Sequence, residues 1–472
     1  MRWLAFVLFL LVALIGVSYL AAGRTTPATL VIEQPAGPIG TSGVLQFTAG
    51  AARSFFTRLD ATLEQNGKSY PLYSAAEPGA ATLKHLDADH LQVSVPIGKG
   101  AIPELKQGSA TITITAVRTS FLRLRDISTT VTKDVQVRLE PPRIAVVSSK
   151  HYLNHGGSEF VIYRATPPDV DSGVRVGDIE YQGFPANGAG IGSDPSLKVA
   201  FFALLNDQPL GAPVVAFARD AAGNEAHASF IDDVFEKPFR KSRISVDDRF
   251  FNRVVPEILA HSPDARMDGP GTVHRGDNPN DPLAGFLKVN GDVRKANAAQ
   301  IAALSKNSPA QMLWKGPFVQ LGNSKVEAAF ADTRTYVYNG KDVDLQTHLG
   351  FDLAVTANVP VLASNSGHVV NADWLGIYGN CVIIDHGMGV ASLYGHLSSI
   401  DVKVGDSVTK GQTLGRSGMT GLAAGDHLHF TMLVSGHPVN PVEWWDPHWV
   451  QDRVERKLID LGASIPTATA SR

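Results

Sequence analysis

The chain has 472 residues, enough for about three domains. Its residues are 44% hydrophobic and 18% charged, which suits packed cores, and a formal net charge of −3 excludes the basic excess of a nucleic-acid-binding protein. A single cysteine excludes an intrachain disulfide framework.

Residues 1–24 begin with Arg2 and an uncharged run from Trp3 to Ala22. That run matches the roughly 20 residues that cross a bilayer and exceeds the 7–15-residue core of a cleaved signal peptide. It reads as a membrane anchor through residues 3–22, with a secretory signal cut after Leu20-Ala-Ala22 as the second reading. Either way the rest of the chain is expected in the cell envelope, outside the cytoplasmic membrane.

Residues 25–142 alternate like β-structure, as in Thr111-Ile-Thr-Ile-Thr-Ala-Val117 and Val135-Gln-Val-Arg-Leu139. Pro141-Pro142 marks a hinge. Residues 143–236 hold a second set of short strands, and Val214-Val-Ala-Phe-Ala218 followed by Arg219-Asp-Ala-Ala-Gly-Asn224 resembles the end of a bacterial immunoglobulin-like module. Two β-sandwich-like modules are expected, acting as a rigid spacer or as a dock for wall material or an envelope protein.

Residues 237–325 change to helical patterning. Phe250, Phe251, Val254, Val255, Ile258 and Leu259 suit one face of a helix from Asp247 to Ala260, kinked at Pro256. A second helix is expected from Asp292 to Leu304, with Asp292 in its first turn. The polar stretch between them, Ser262 to Asp281, reads as a loop able to gate a neighbouring cleft; Asp277, Asn278, Asn280 and Asp281 fit no cation-ligand pattern.

Residues 326–446 carry the chemistry. His348-Leu-Gly-Phe-Asp352 is followed by His427-Leu-His429, and His396 lies between them. His348, Asp352 and His429 could hold one zinc ion, which accepts imidazole nitrogen and carboxylate oxygen and, with three protein ligands, keeps a catalytic position open. In a strand, positions i and i+2 share a face, so His427 and His429 face one cavity while Leu428 and Phe430 pack behind. Gly350 and Pro360 favour a loop entering a strand over a helix at His348–Asp352. No H-E-x-x-H helix or G-x-S-x-G elbow is present. Cys381, in an apolar run, reads as buried.

This segment resembles the lysostaphin/LytM-type zinc metallopeptidases, which cleave peptidoglycan. The pieces that match are Phe330-Ala-Asp-Thr-Arg334, His348-Leu-Gly-Phe-Asp352, Ile384-Asp-His-Gly387, Leu393-Tyr-Gly-His-Leu-Ser398, Gly415-Arg-Ser-Gly418, His427-Leu-His-Phe430 and Asn440-Pro441. Two positions depart from the pattern: Asp426 stands where the family has Pro, and Ala331 where it has Gly. Asp426 either alters how the strand enters the site or shifts the basicity of His427.

The chain is expected to be mainly β, with a C-terminal helix and polar tail at residues 447–472, and the resemblance implies that residues 326–446 form a domain resembling a barrel-sandwich hybrid. It implies one zinc ion on His348, Asp352 and His429, with His396 and His427 as catalytic histidines. His427 is the expected base and His396 the expected oxyanion donor, an order that the residues leave open. Tyr378, Tyr394 and Trp374 are candidate walls for an extended peptide stem of peptidoglycan. The alternative is a catalytically silent LytM-like regulator that activates a cell-wall amidase; such proteins have typically lost ligands, and this chain keeps all five side chains.

Overall fold

The computed structural model describes residues 2–22, 26–52, 55–120, 125–262 and 281–463 of a mainly β chain. The described residues fall into two compact units, Met1–Pro142 with Arg219–Ala226, and Arg143–Ala218 with His227–Arg472.

A helix runs from Arg2 to Ala22. Among the described residues no helix is long and apolar enough to cross a membrane, so the expected anchor finds no support here.

The rest of the first unit is built on two four-stranded antiparallel sheets. One runs Thr29–Gln34, Gly43–Gly50, His90–Ile97, Thr82–His85; the other runs Lys68–Ser74, Arg58–Gln65, Gly108–Thr119, Asp126–Val137. Strand alternation builds the core: Ile112, Ile114 and Ala116 point inward with Phe47, Leu63 and Val93, while Thr113 and Thr115 stay partly exposed.

In the second unit, the strands Arg143–Val146, Ser158–Thr166, Leu197–Ala203 and Phe184–Pro185 form one sheet. Phe160, Phe201 and Phe202 on it share a single core with Trp314, Phe430 and Trp444. The contact is also polar. Glu443 in the short helix Pro441–Trp445 accepts hydrogen bonds from Asn154 Nδ2 and Ser158 N, each at 2.7 Å. Lys457 Nζ donates to Glu159 Oε1 at 2.8 Å and to the Phe160 carbonyl at 2.7 Å. The sheet of residues 143–218 and the C-terminal helical segment close over the same apolar interior. Residues 464–472, the expected polar tail, lie outside the described residues.

The first helix forms where its sequence pattern predicts, and the second starts earlier. Asp247 caps the helix Asp248–Ala260 by accepting from Phe250 N, and Phe251, Val254, Val255 and Ile258 bury one face. The second helical run begins at Pro282, with Asp281 as its cap, and passes through a π-turn at Val289–Val293 into Arg294–Leu304. Asp292 thus lies inside a continuous run, because Pro282 at the first helical position and the Asp281 cap set the true start. Phe286 stacks on Phe251, with ring centroids 4.6 Å apart. Residues 263–280, with Asp277, Asn278 and Asn280, lie outside the described residues.

The large antiparallel sheet of the C-terminal domain orders its strands as Lys325–Ala328, Phe351–Ala354, His427–Val434, Val390–Leu397, Asn380–Gly387, Gly367–Trp374 and Ser407–Val408. A three-stranded sheet lies beside it, in which Lys241–Val246 pairs parallel to Asp332–Tyr338, which pairs with Lys341–His348. The helical segment therefore delivers an edge strand, Lys241–Val246, to the wall of the same cleft.

Candidate active site

Strand register assembles the site. His348 is the last residue of its strand, and Asp352 is the second residue of Phe351–Ala354. That strand pairs with the H-x-H strand so that Asp352 faces His429 and Ala354 faces His427. On the other flank Gly395 pairs with His429, which brings His396 alongside. Leu428 and Phe430 turn into the core, as alternation requires.

Three donor atoms converge. His348 Nε2 lies 2.9 Å from Asp352 Oδ1 and 3.1 Å from His429 Nδ1, and His429 Nδ1 lies 3.0 Å from Asp352 Oδ1. A regular tetrahedron with bonds of about 2.0–2.1 Å has edges of roughly 3.3–3.4 Å, so this near-equilateral triangle needs little adjustment to hold one zinc-sized ion.

Neighbouring groups set the tautomers, assigned here from the hydrogen-bond partners. His348 Nδ1 donates to the Ala329 carbonyl at 3.2 Å. His429 Nε2 donates to Thr431 Oγ1 at 3.0 Å, because that hydroxyl gives its own proton to the Leu349 carbonyl. Three lone pairs then face one another at hydrogen-bond distance with no proton between them. Such an arrangement is repulsive until a cation takes its centre, and this donor set fits a divalent metal. Gly350 is required beside it, since a Cβ there would stand 2.6 Å from His429 Nε2.

His427 Nε2 approaches the triangle at 3.4 Å from Asp352 Oδ1, while its Nδ1 is fixed on the Gly425 carbonyl at 2.8 Å. His396 is built the same way: Nδ1 donates to the Thr420 carbonyl at 2.8 Å, and its ring lies 4.8 Å from that of His427 and 5.7 Å from that of His429. On both imidazoles Nδ1 is the nitrogen held by a backbone carbonyl, which leaves Nε2 for the chemistry. His396 holds a left-handed φ of 63°, a conformation that costs a non-glycine residue about 1–2 kcal/mol.

The carboxylate organises the electrostatics. Burial would push Asp352 up, but the surrounding imidazoles of His348, His427 and His429 hold it well below the usual carboxylate range. Burial takes His429 down to about 4. His396 is also driven well down, first by burial and then by the neighbouring imidazoles. His427 feels the same burial, but Asp352 outweighs it and raises this imidazole above its ordinary value.

Two residues that the sequence reading gave no role act on the ligands. Arg334 Nη2 donates to Asp352 Oδ2 at 2.9 Å and leaves Oδ1 to the triangle. Thr431 orients His429. Arg334 stood in a motif without a stated purpose, and Thr431 follows His429 by two positions on the same strand face. Both departures from the family pattern also find a place. Asp426 accepts from Ser417 Oγ at 2.7 Å and from Asn358 N at 3.1 Å, so it fixes how the strand enters the site. Ala331 has φ 60°, which explains why glycine suits that position.

The cleft measures about 570 Å3 and is lined by the ligand triangle, both further histidines, Tyr378, Arg240, Arg294 and Glu327. Of the aromatic candidates, Tyr378 faces the cleft with its ring 5.2 Å from that of His429. Tyr394 is buried, its hydroxyl bonded to Ser364 N and Ser392 Oγ. Trp374 stacks on His261 and does not line the cleft. Cys381 is buried, and burial pushes its thiol up.

Residues 346–441 match the family model Peptidase family M23, so the C-terminal part of the chain carries a peptidase M23 domain. The chain is 43% identical over 96 residues to the peptidoglycan DD-endopeptidase ShyA of Vibrio cholerae serotype O1, which covers 20% of this chain and 22% of that protein. It is 42% identical over 95 residues to the DD-carboxypeptidase/endopeptidase Mpg of Neisseria meningitidis serogroup B, again 20% and 22%. The chain thus spans about a fifth of the length of these curated relatives. The solved catalytic domain of lysostaphin from Staphylococcus simulans is similar at 31% identity and a TM-score of 0.23, covering 26% of this chain and 92% of that one.

Proposed function

We propose that this chain is a zinc-dependent endopeptidase that hydrolyses peptide crosslinks of peptidoglycan. The observation that carries the reading is the triangle of His348 Nε2, Asp352 Oδ1 and His429 Nδ1, with edges of 2.9–3.1 Å and two further imidazoles beside it. The similarity to two proteins named as peptidoglycan endopeptidases supports the substrate class.

Two imidazoles and one carboxylate are an ordinary donor set for zinc, which when bound supplies Lewis acidity that polarises a scissile carbonyl and acidifies water. The protein's own groups do the rest. Arg334 and Thr431 hold Asp352 and His429 in the required orientation. His427, the nearer of the two free imidazoles, takes the water proton on Nε2 and passes it to the leaving amine. His396 keeps its Nδ1 proton on the Thr420 carbonyl and so presents an Nε2 lone pair beside His427, a second acceptor for the same proton. Tyr378 forms part of the substrate wall. The presence of all five side chains around one cleft argues against a silent amidase regulator.

The test is mass analysis of muropeptides released from purified sacculi by the zinc-loaded chain. The His429→Ala variant is expected to lose both metal and activity, whereas His427→Ala keeps most of the metal and loses turnover. Normal cleavage by the His427 variant would remove it from the mechanism. We also propose that the chain works outside the cytoplasmic membrane; recovery of all the protein in the cytoplasmic fraction would refute this.

A further inference from the structure

Charges around the cleft are unevenly satisfied. Arg334 is neutralised by Asp352, and Arg243 pairs with Asp342. Asp332 accepts from Ser242 Oγ and faces Arg334, and Asp247 is used as a helix cap. Arg294 is different. This half-buried guanidinium lines the cleft from the helical segment, outside the matched residues 346–441. Its Nε donates to the Asn290 carbonyl at 3.2 Å and its Nη2 to Asn290 Oδ1 at 2.6 Å. Asn290 is itself fully buried and tied to Asp344 Oδ2 at 2.7 Å. Among the described residues Arg294 has no carboxylate partner.

The consequence is a preorganised cation. One edge of this cleft-lining guanidinium is locked by neutral acceptors, which leaves the Nη1–Nη2 fork for a ligand. That fork matches a carboxylate in bidentate geometry. Tyr378 lines the same cleft, its ring 5.2 Å from that of the triangle residue His429. Arg240, exposed on the same cleft, adds a second positive charge, and Glu327 is a further anion in the lining.

We infer that Arg294 is a specificity-determining residue that binds a free carboxylate on the peptide beside the scissile bond, with Arg240 steering that anion inward. The inference rests on the hydrolase reading above and narrows its substrate to stems that carry an unamidated carboxylate next to the crosslink.

The experiment compares two synthetic crosslinked stem dimers, identical except that this carboxylate is free in one and a primary amide in the other. The zinc-loaded full chain should show a KM roughly 10- to 100-fold lower for the free acid, the range expected for one charge-assisted bidentate contact. Arg294→Gln should bring the ratio of the two KM values to near one, and Arg294→Lys should restore part of it. A merely structural role would weaken both dimers alike and preserve the ratio, which would overturn the inference, as would a wild-type ratio near one. If neither dimer is cleaved, the hydrolase reading fails. Calorimetric binding of the two dimers then decides the carboxylate site alone: preference for the acid in the wild type and its loss in Arg294→Gln support it, and equal binding overturns it.

Discussion

Replacing Glu443 by Gln should change how the second unit responds to pH. Glu443 is buried where the short helix Pro441–Trp445 meets the strand Ser158–Thr166, and burial, reinforced by the charge of nearby Glu159, raises its carboxyl from 4.5 to about 7. Between those values the folded protein keeps a proton that the unfolded chain has lost. The group's contribution to stability is therefore complete below pH 4.5 and disappears as pH rises to about 7. About 2.5 pH units at 1.4 kcal/mol each give about 3 kcal/mol. His151 and His386, whose burial depresses them to about 3 and about 4, act with the opposite sign, but equally in both proteins. The difference between wild type and Glu443→Gln isolates the carboxyl. Urea unfolding followed by fluorescence of the core residues Trp314, Trp444 and Trp449 measures it. The wild type should lose about 3 kcal/mol relative to the variant between pH 4.5 and 7 and nothing further above that. Parallel curves across the range would show that Glu443 is ionised throughout and that the burial argument is wrong.

Three further outcomes concern the site. Arg334→Met should weaken zinc binding roughly 10- to 100-fold in chelator competition, since it removes the group that orients Asp352; unchanged affinity would make Arg334 a wall residue only. Gly350→Ala should abolish stoichiometric zinc binding while leaving the far-ultraviolet circular dichroism intact, because the added methyl collides with His429. Ala331→Gly should raise stability by up to about 1 kcal/mol in thermal unfolding, since it relieves a left-handed alanine at φ 60°.

The strand identities and the two histidine motifs were legible because they follow short-range rules. Alternation places His427 and His429 on one face and Ile112 and Ile114 on another whatever surrounds them. The first helix was legible from its apolar face, but the π-turn at Val289–Val293 hid the continuity of the second helical run behind Gly291 and Asn290. Aromatic character alone did not sort Tyr378 from Tyr394: one faces the cleft, and the other spends its hydroxyl on Ser364 and Ser392 inside the sheet.

By itself, then, the sequence determined which side chains carry the chemistry, because a ligand's donor type and its strand parity are local properties. Tertiary structure alone decided that Arg334 anchors Asp352, that Arg294 lines the cleft unneutralised, and that Glu443 joins the strand at Ser158 across 285 positions of chain. Those facts depend on which charges end near one another and how far water is removed from them. Both depend on packing between distant segments, which local periodicity does not encode.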